Sequence, residues 1–263
     1  MDDWTSYDRV AATYGRVHDP RFAEPARDLV ELAQIEAGSL VLDIGTGTGA
    51  TAAAVTGAGA IAVGADPSVP MLAQARGARP DLHLVAAHGI DLPFLDRTFD
   101  GVTGGFVLAH FTNVETALYE LRRVTRSGGR LAFSAWADGD DAFIEAWLEL
   151  VYGVVPREML EPSLARAIPN QRRFRSADIV EQTMYDAGLR RIRTERTHYE
   201  WTYARDDLVE GLGVWAVGRF VRAMVGDGAW PAFLERAKAV FAERFPDPVH
   251  DRRDVVLAVG TTE

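Results

Sequence analysis

Val41-Leu42-Asp43-Ile44-Gly45-Thr46-Gly47-Thr48-Gly49 is the stretch from which the rest of the chain is read. The apolar run Leu40 to Ile44 is a buried strand, and a small-residue helix opens at Ala50. Glycines in the turn between them allow positive φ and close approach of backbone to a ligand. The start of the helix offers N–H groups with no partner inside the helix. A strand, a tight glycine turn and a helix start form a generic site for a nucleotide-type cofactor. Taken alone, Gly45-x-Gly47-x-x-Ala50 also fits a dinucleotide fingerprint. Two residues discriminate. Asp43 lies two residues before the first glycine, where a carboxylate opposes the charge of a pyrophosphate. Gly49 completes Asp-x-Gly-x-Gly-x-Gly, a version suited to a cofactor without phosphates, whose cationic amino-acid end the carboxylate can serve. Asp66 ends the next strand, one β-α-β unit further on. It is placed to accept hydrogen bonds from both hydroxyls of a ribose, or to cap the helix from Ser68 to Arg76.

Outward from this loop the pattern repeats. Short apolar strands at 60–66, 82–86, 99–104 and 129–135 alternate with helices around 71–76 and 114–124. Continuous apolar strands separated by helices predict a parallel sheet covered on both faces, an α/β doubly wound fold. Residues 5–36 read as helical. After Trp136 the alternation breaks into a helix at 141–151, an irregular proline-punctuated stretch at 153–172 and a helix at 176–187 that stops at Gly188. An extended segment at 191–202, helices at 206–224 and 230–245 and a last strand at 254–260 complete the chain. Five tryptophans, Trp136, Trp147, Trp201, Trp215 and Trp230, fall in this second half. They suit either helix packing or an apolar cap over a hydrophobic ligand. Gly211, Gly213 and Gly218 lower the helical stability of their segment, which suits a part that closes on substrate and equally suits close helix packing.

Composition narrows the partners. The 263 residues carry 38 acidic against 28 basic side chains, a formal net charge of −10, the opposite of what binding a polyanion needs. Arg172-Arg173-Phe174-Arg175 and Arg190-Arg191 are the two basic clusters, and they read as solvated faces. No cysteine is present, which excludes disulfides, cysteinyl metal sites, iron–sulfur clusters and a thiol nucleophile. This suggests a cytoplasmic protein. The acidic start Met1-Asp2-Asp3-Trp4 does not read as a secretory signal, and no apolar run approaches the ~20 residues of a membrane span. No grouping of histidines and carboxylates has metal-ligand spacing, so no metal is expected.

Four motifs in order carry a family resemblance: Tyr7-Asp8-x-x-Ala11-x-x-Tyr14, the 41–49 loop, Asp66-x-Ser68-x-x-Met71, and Asp91-Leu92-Pro93-Phe94 leading to Phe99-Asp100-Gly101-Val102. Over residues 5–135 the chain resembles the class I S-adenosylmethionine-dependent methyltransferases, in the small-molecule branch of ubiquinone/menaquinone-biosynthesis type. The resemblance implies a mostly parallel, seven-stranded Rossmann-like sheet with an antiparallel last strand and a helical cap. It divides the chain into lid helices (1–36), a core (37–136, 174–205 and 254–263) and cap insertions (137–173 and 206–253). It further implies that Asp43, Gly45, Gly47 and Gly49 hold the methionine portion, Asp66 the ribose, Met71 the adenine, and Tyr14 a lid contact. Pro67, His88, Gly89, Ile90 and Gly105 complete the implied cofactor contacts. His88 departs from the family, which has an acidic residue there; a neutral ring nitrogen or the backbone of Gly89 and Ile90 would take over that contact.

The reaction implied is methyl transfer to a small, hydrophobic metabolite, an O-methylation by family frequency, leaving S-adenosylhomocysteine. Phe106 stands as a wall of the site beside the methyl. His110 is the candidate base, since its ordinary pKa suits proton removal near neutrality, or else it orients the loop. His18 and His198 are lesser candidates; His83 and His250 are incidental. Nucleic acid is not expected as a partner, and the chain is expected to be a monomer or homodimer. Two alternatives stay open: a cyclase or isomerase of the same family that keeps the cofactor as a scaffold, and an NAD-dependent enzyme of similar fold.

Overall fold

The computed structural model describes residues 4–139 and 141–263. Two helices come first, α1 (Ala11–Val17) and α2 (Asp19–Leu32), meeting at His18. The alternation follows: β1 (Leu40–Ile44), α3 (Ala50–Gly57), β2 (Ile61–Asp66), α4 (Val69–Ala78), β3 (His83–Ala86), β4 (Phe99–Gly105), α5 (Val114–Val124) and β5 (Thr125–Trp136). Beyond it lie α6 (Ala142–Tyr152), α7 (Arg157–Ala167), α8 (Ala177–Asp186), β6 (Arg190–Tyr203), α9 (Arg205–Val214), α10 (Ala216–Val225), α11 (Trp230–Arg244) and β7 (Val249–Thr261).

The seven strands form one sheet in the order β3-β2-β1-β4-β5-β7-β6. Strands β1 to β5 pair in parallel, and β7 runs antiparallel to both β5 and β6. From β1 the chain winds outward through β2 and β3, then returns to the other side at β4. The carboxyl ends of β1 and β4 therefore flank the point where the winding reverses, and ligands of open α/β sheets bind in the crevice there. The largest core cluster lies on one face, built from Leu42, Phe99, Leu118, Leu121, Phe133 and Phe174. On the other face Leu29 and Leu32 of α2 pack with Ala132, Val255 and Leu257 of β5 and β7.

A separate apolar cluster joins α6, α7, α9, α10 and α11 through Trp147, Leu160, Leu212, Phe220, Trp230 and Phe241. Its helices differ from the sequence expectation in two places. The stretch 153–172 contains α7, although Pro162 removes one helical N–H and Pro156 precedes its first residue; burial of Leu160 in the cap cluster outweighs that loss. The single helix expected over 206–224 is two, because Trp215 takes ψ 168 and ends α9. Strand β7 also begins earlier than expected, at Val249, since it pairs with β6 as far as Tyr203.

The glycines of α9 and α10 stand at close contacts. A Cβ on Gly218 would lie 2.3–2.5 Å from the backbone of Gly213, and one on Gly211 would lie 3.0 Å from the His18 ring. Close packing, and not softness, is what they provide. Gly77 in α4 has nothing within 4 Å of such a Cβ. Gly218→Ala should therefore destabilise the fold by about 2 kcal/mol or more through overpacking, while Gly77→Ala should stabilise it by about 0.5–1 kcal/mol through helix propensity. Urea unfolding of the two variants checks the opposite signs.

Candidate functional site

The glycine loop folds as the sequence expects because each glycine is used. Gly45, Gly47 and Gly49 take φ of 65°, 54° and 92°. A Cβ on Gly45 would also meet the Val107 side chain at 2.4 Å, so that position demands glycine for space as well as conformation. The loop is tied down by Thr46 N–H on Ala65 O at 3.1 Å and by Gly47 N–H on Asp66 Oδ2 at 2.9 Å.

Asp43 ends β1 beneath this loop, 1% exposed. Both of its oxygens are engaged: Thr46 Oγ1 donates to Oδ2 at 2.6 Å and Thr103 Oγ1 donates to Oδ1 at 2.9 Å. Burial pushes its pKa up to about 6 against the pull of these two hydroxyls, and Asp66 adds repulsion. Asp66 ends β2. Its Oδ1 accepts from Ser68 N–H at 2.9 Å and its Oδ2 from Gly47. Burial raises its pKa too, with Asp8 adding to the shift and His88 opposing it. The cap of α4 is Ser68, whose Oγ accepts from Met71 N–H, so Asp66 is not the capping residue. Met71 is buried, and its Cε lies 3.3 Å from where a Gly47 Cβ would be.

His88, Ile90 and Pro67 form an exposed rim beyond Asp66. His88 pairs with Asp91 across a one-residue bridge, and Gly89 is held against Phe111, where a Cβ would lie 2.6 Å from that ring.

At the end of β4, Phe106 takes φ 57°, a left-handed conformation that a bulky residue adopts only under constraint. The constraint is visible: its N–H donates to both the carbonyl and the hydroxyl of Ser134 on β5, at 3.1 and 3.0 Å. Its ring stacks on Trp136 at 4.4 Å and leans on Phe22 at 5.0 Å. A cavity of about 50 Å³ opens here, lined by Tyr14, Phe22, Gly45, Thr51, Phe106 and Ser134 among others. Gly105 belongs to the same wall; a Cβ there would meet Thr51 Oγ1 at 2.6 Å.

His110 closes a short 3-10 turn after β4. Its ring keeps open surface and meets the edge of Tyr7 at 5.9 Å. Surrounding protein, then the charge of Arg219, hold its pKa below the ordinary value. His18 is buried, with Nε2 at 3.1 Å from Gly211 O, and burial lowers its pKa to about 3; it is a packing residue between α1 and α9. His198 lies on the edge strand β6, exposed, with Nδ1 2.7 Å from Asp254. The structure brings Tyr14, Asp43, Asp66, Met71, Phe106 and the glycines together, and it leaves His18 and His198 to other contacts.

Several participants carry no sequence signal of their own. Thr103, Ser134 and Phe22 join the site only through the sheet order and the placement of α2. The segment before α1 and the first residue of α2 are fastened over the loop by polar contacts: Ser68 Oγ donates to Asp8 at 2.6 Å, Thr48 Oγ1 to Asp19 at 2.7 Å, and Arg79 to Asp19 at 2.6 Å. Asp8, Thr48 and Ser68 lie within the motifs quoted above, as does Thr46. Its hydroxyl reaches back over three residues to Asp43.

Comparison with known proteins agrees with this geometry. Residues 42–133 match the family described as "Methyltransferase domain". A demethylmenaquinone methyltransferase from Paenarthrobacter aurescens (strain TC1) is 32% identical over 171 residues, 63% of this chain and 62% of that protein. The chain thus matches less than two thirds of that relative's length. Among solved structures, the YcgJ protein from Bacillus subtilis superposes with a TM-score of 0.59 at 19% identity, covering 91% of this chain and 99% of that one. A Haemonchus contortus N-methyltransferase solved with S-adenosylhomocysteine superposes at 0.60 with 14% identity, covering 100% of this chain and 60% of that one; these two likenesses are of fold. Residues 42–133, which contain the glycine loop, thus match the methyltransferase-domain family, and the chain is similar over 63% of its length to a demethylmenaquinone methyltransferase.

Proposed function

We propose that this chain transfers the methyl group of S-adenosylmethionine to a small hydrophobic acceptor, with oxygen as the favoured nucleophile. One observation carries the reading. Asp43 and Asp66 are both buried at the carboxyl ends of β1 and β2, and neither forms an ion pair with a lysine or arginine among the described residues. Buried carboxylates without a counter-charge are costly. A ligand that brings its own positive charge relieves that cost, whereas a pyrophosphate would add to it. The same point disfavours a dinucleotide.

When bound, S-adenosylmethionine supplies an electrophilic methyl on a sulfonium, together with a cationic amino group. The glycine loop would take the amino-acid end, with Thr51 and Ser134 among the hydroxyl-bearing residues of the cavity wall. Asp66 would exchange its bond to Gly47 N–H for the ribose hydroxyls. Phe106, Phe22 and Tyr14 exclude water from the line of attack, the condition an in-line displacement needs most. The acceptor's lone pair forms the new bond to the methyl carbon as the carbon–sulfur bond breaks toward sulfur. A hydroxyl acceptor must also give up its proton, and His110, neutral at pH 7, can accept it.

Calorimetry tests the cofactor. Asp43→Asn and Asp66→Asn should each weaken S-adenosylmethionine binding by about 1.5 kcal/mol or more, the scale of a lost charge-assisted hydrogen bond. Unchanged affinity in both, or binding of NAD alone, would remove the assignment. With acceptor present, S-adenosylhomocysteine should accumulate; cofactor binding without any such product would favour the scaffold reading.

The raised pKa of Asp43 gives a further sign to check. Since burial favours its neutral form, its contribution to the stability of the unliganded fold is fully present below its unfolded pKa. That contribution is lost as pH rises through about 6. A cationic ligand prefers the ionised form. Affinity for S-adenosylmethionine should therefore fall about tenfold per pH unit below that pKa, with proton release on binding. Calorimetry at pH 5.5 in buffers of different ionisation enthalpy reads the released proton. A flat affinity between pH 5 and 7 would contradict the role given to Asp43.

A further inference from the structure

Arg219 on α10 is 5% exposed and sits between the cap and the site. Its Nε donates to Trp4 O at 2.9 Å and one terminal nitrogen donates to Val214 O at 2.7 Å, at the end of α9. The other reaches Thr5 O at 3.4 Å. Its guanidinium lies 3.9 Å from the centre of the Tyr7 ring. Tyr7 in turn meets Tyr14 at 5.5 Å and His110 at 5.9 Å, edge to face in both cases. Arg219 is therefore one aromatic ring away from the groups that border the methyl-transfer site.

Among the described residues, no carboxylate pairs with it. Two arginines are buried among the described residues, Arg21 and Arg219. Arg21 pairs with Asp251; the partners of Arg219 are carbonyls and a ring face. Tying carbonyls together needs donors, not charge, and a neutral amide would avoid the cost of burying a cation. A buried charge without a counter-ion is weakly screened and acts on whatever it faces. What it faces, across the Tyr7 ring, is the cluster of Tyr7, Tyr14 and His110, and after burial its charge helps to hold the His110 pKa down.

We infer that Arg219 is a specificity-determining residue that selects a methyl acceptor whose oxyanion, such as a phenolate, enolate or carboxylate, approaches the Tyr7–Tyr14–His110 cluster. This rests on the methyl-transfer reading above. The step balances without a base. An anionic oxygen attacks the methyl carbon, the carbon–sulfur electron pair goes to sulfur, and a neutral ether or ester leaves beside a neutral thioether. No proton has to move, so a weakly basic His110 is no handicap.

The test uses the full chain saturated with S-adenosylhomocysteine, whose own affinity is measured first and separately. Matched probes are then titrated by calorimetry at pH 8: benzoate against benzamide, and 4-nitrophenolate against nitrobenzene. Wild type should bind the anionic member of a pair about tenfold more tightly, as expected for a weakly screened charge acting over one ring. Arg219→Gln should abolish the preference and Arg219→Lys should retain it. In parallel, the His110 resonance of wild type, assigned with His110→Asn, is followed by NMR titration. Bound benzoate should raise the His110 pKa and benzamide should not, a readout that needs no Arg219 variant. Equal affinity within pairs, no binding of either member, or a preference that survives Arg219→Gln overturns the inference. Failure of wild type to bind S-adenosylhomocysteine would instead count against the methyl-transfer reading.

Discussion

The site depends on the placement of negative charge out of water. Asp43 is held under the glycine loop by two threonine hydroxyls, from Thr46 in the loop and Thr103 in β4. That arrangement fixes two things at once. It joins the loop to the two central strands, and it keeps a carboxylate out of water with no lysine or arginine paired to it among the described residues. Asp66 extends the same logic to β2, since its bonds to Gly47 and Ser68 set the distance between the loop and α4. The ligand's chemistry is thereby written into the unliganded fold as an unmet electrostatic demand.

Closure over this site is divided between two kinds of attachment. Helix α2 is anchored deeply: Arg21 pairs with Asp251 of β7 out of water, and Tyr199 of β6 donates to Asp28 at 2.7 Å. Removing one partner of a buried pair typically costs about 3–5 kcal/mol, so α2 is a fixed wall. The segment before it is fastened differently. Asp8 on Ser68, and Arg16 on Asp207 and Glu210, are polar contacts with solvent nearby. Such contacts are individually worth about 1 kcal/mol or less.

What could be read from the sequence was what is local. The loop, Asp66 and Ser68 lie within single β-turn-α units, where spacing alone fixes geometry. The parallel sheet followed from apolar strands of regular spacing. By contrast, α7 was hidden by Pro156 and Pro162, whose penalty is outweighed only by a cap core assembled from distant helices. The break at Trp215 was hidden for a related reason. Nothing in residues 206–224 stops a helix as strongly as Pro would, yet the close approach of Gly213 and Gly218 requires the chain to turn between them. Phe22 and Trp136 meet Phe106, and Trp215 meets Trp136 in turn, from separate parts of the chain, and no motif records an encounter of that kind.

The same distinction explains why acceptor chemistry is harder to read than cofactor chemistry. The cofactor demand sits on elements that a doubly wound sheet must place together. The acceptor side is made where two unrelated segments meet: the residues before α1 and the α9–α10 corner. Arg219 is the residue at that meeting point, bonded to Trp4 and Thr5 on one side and to Val214 on the other. A residue so placed cannot respond to one partner alone. The segment before α1 and the α9–α10 corner are thus held together through one buried positive charge, which is where a change on either side is felt by the other.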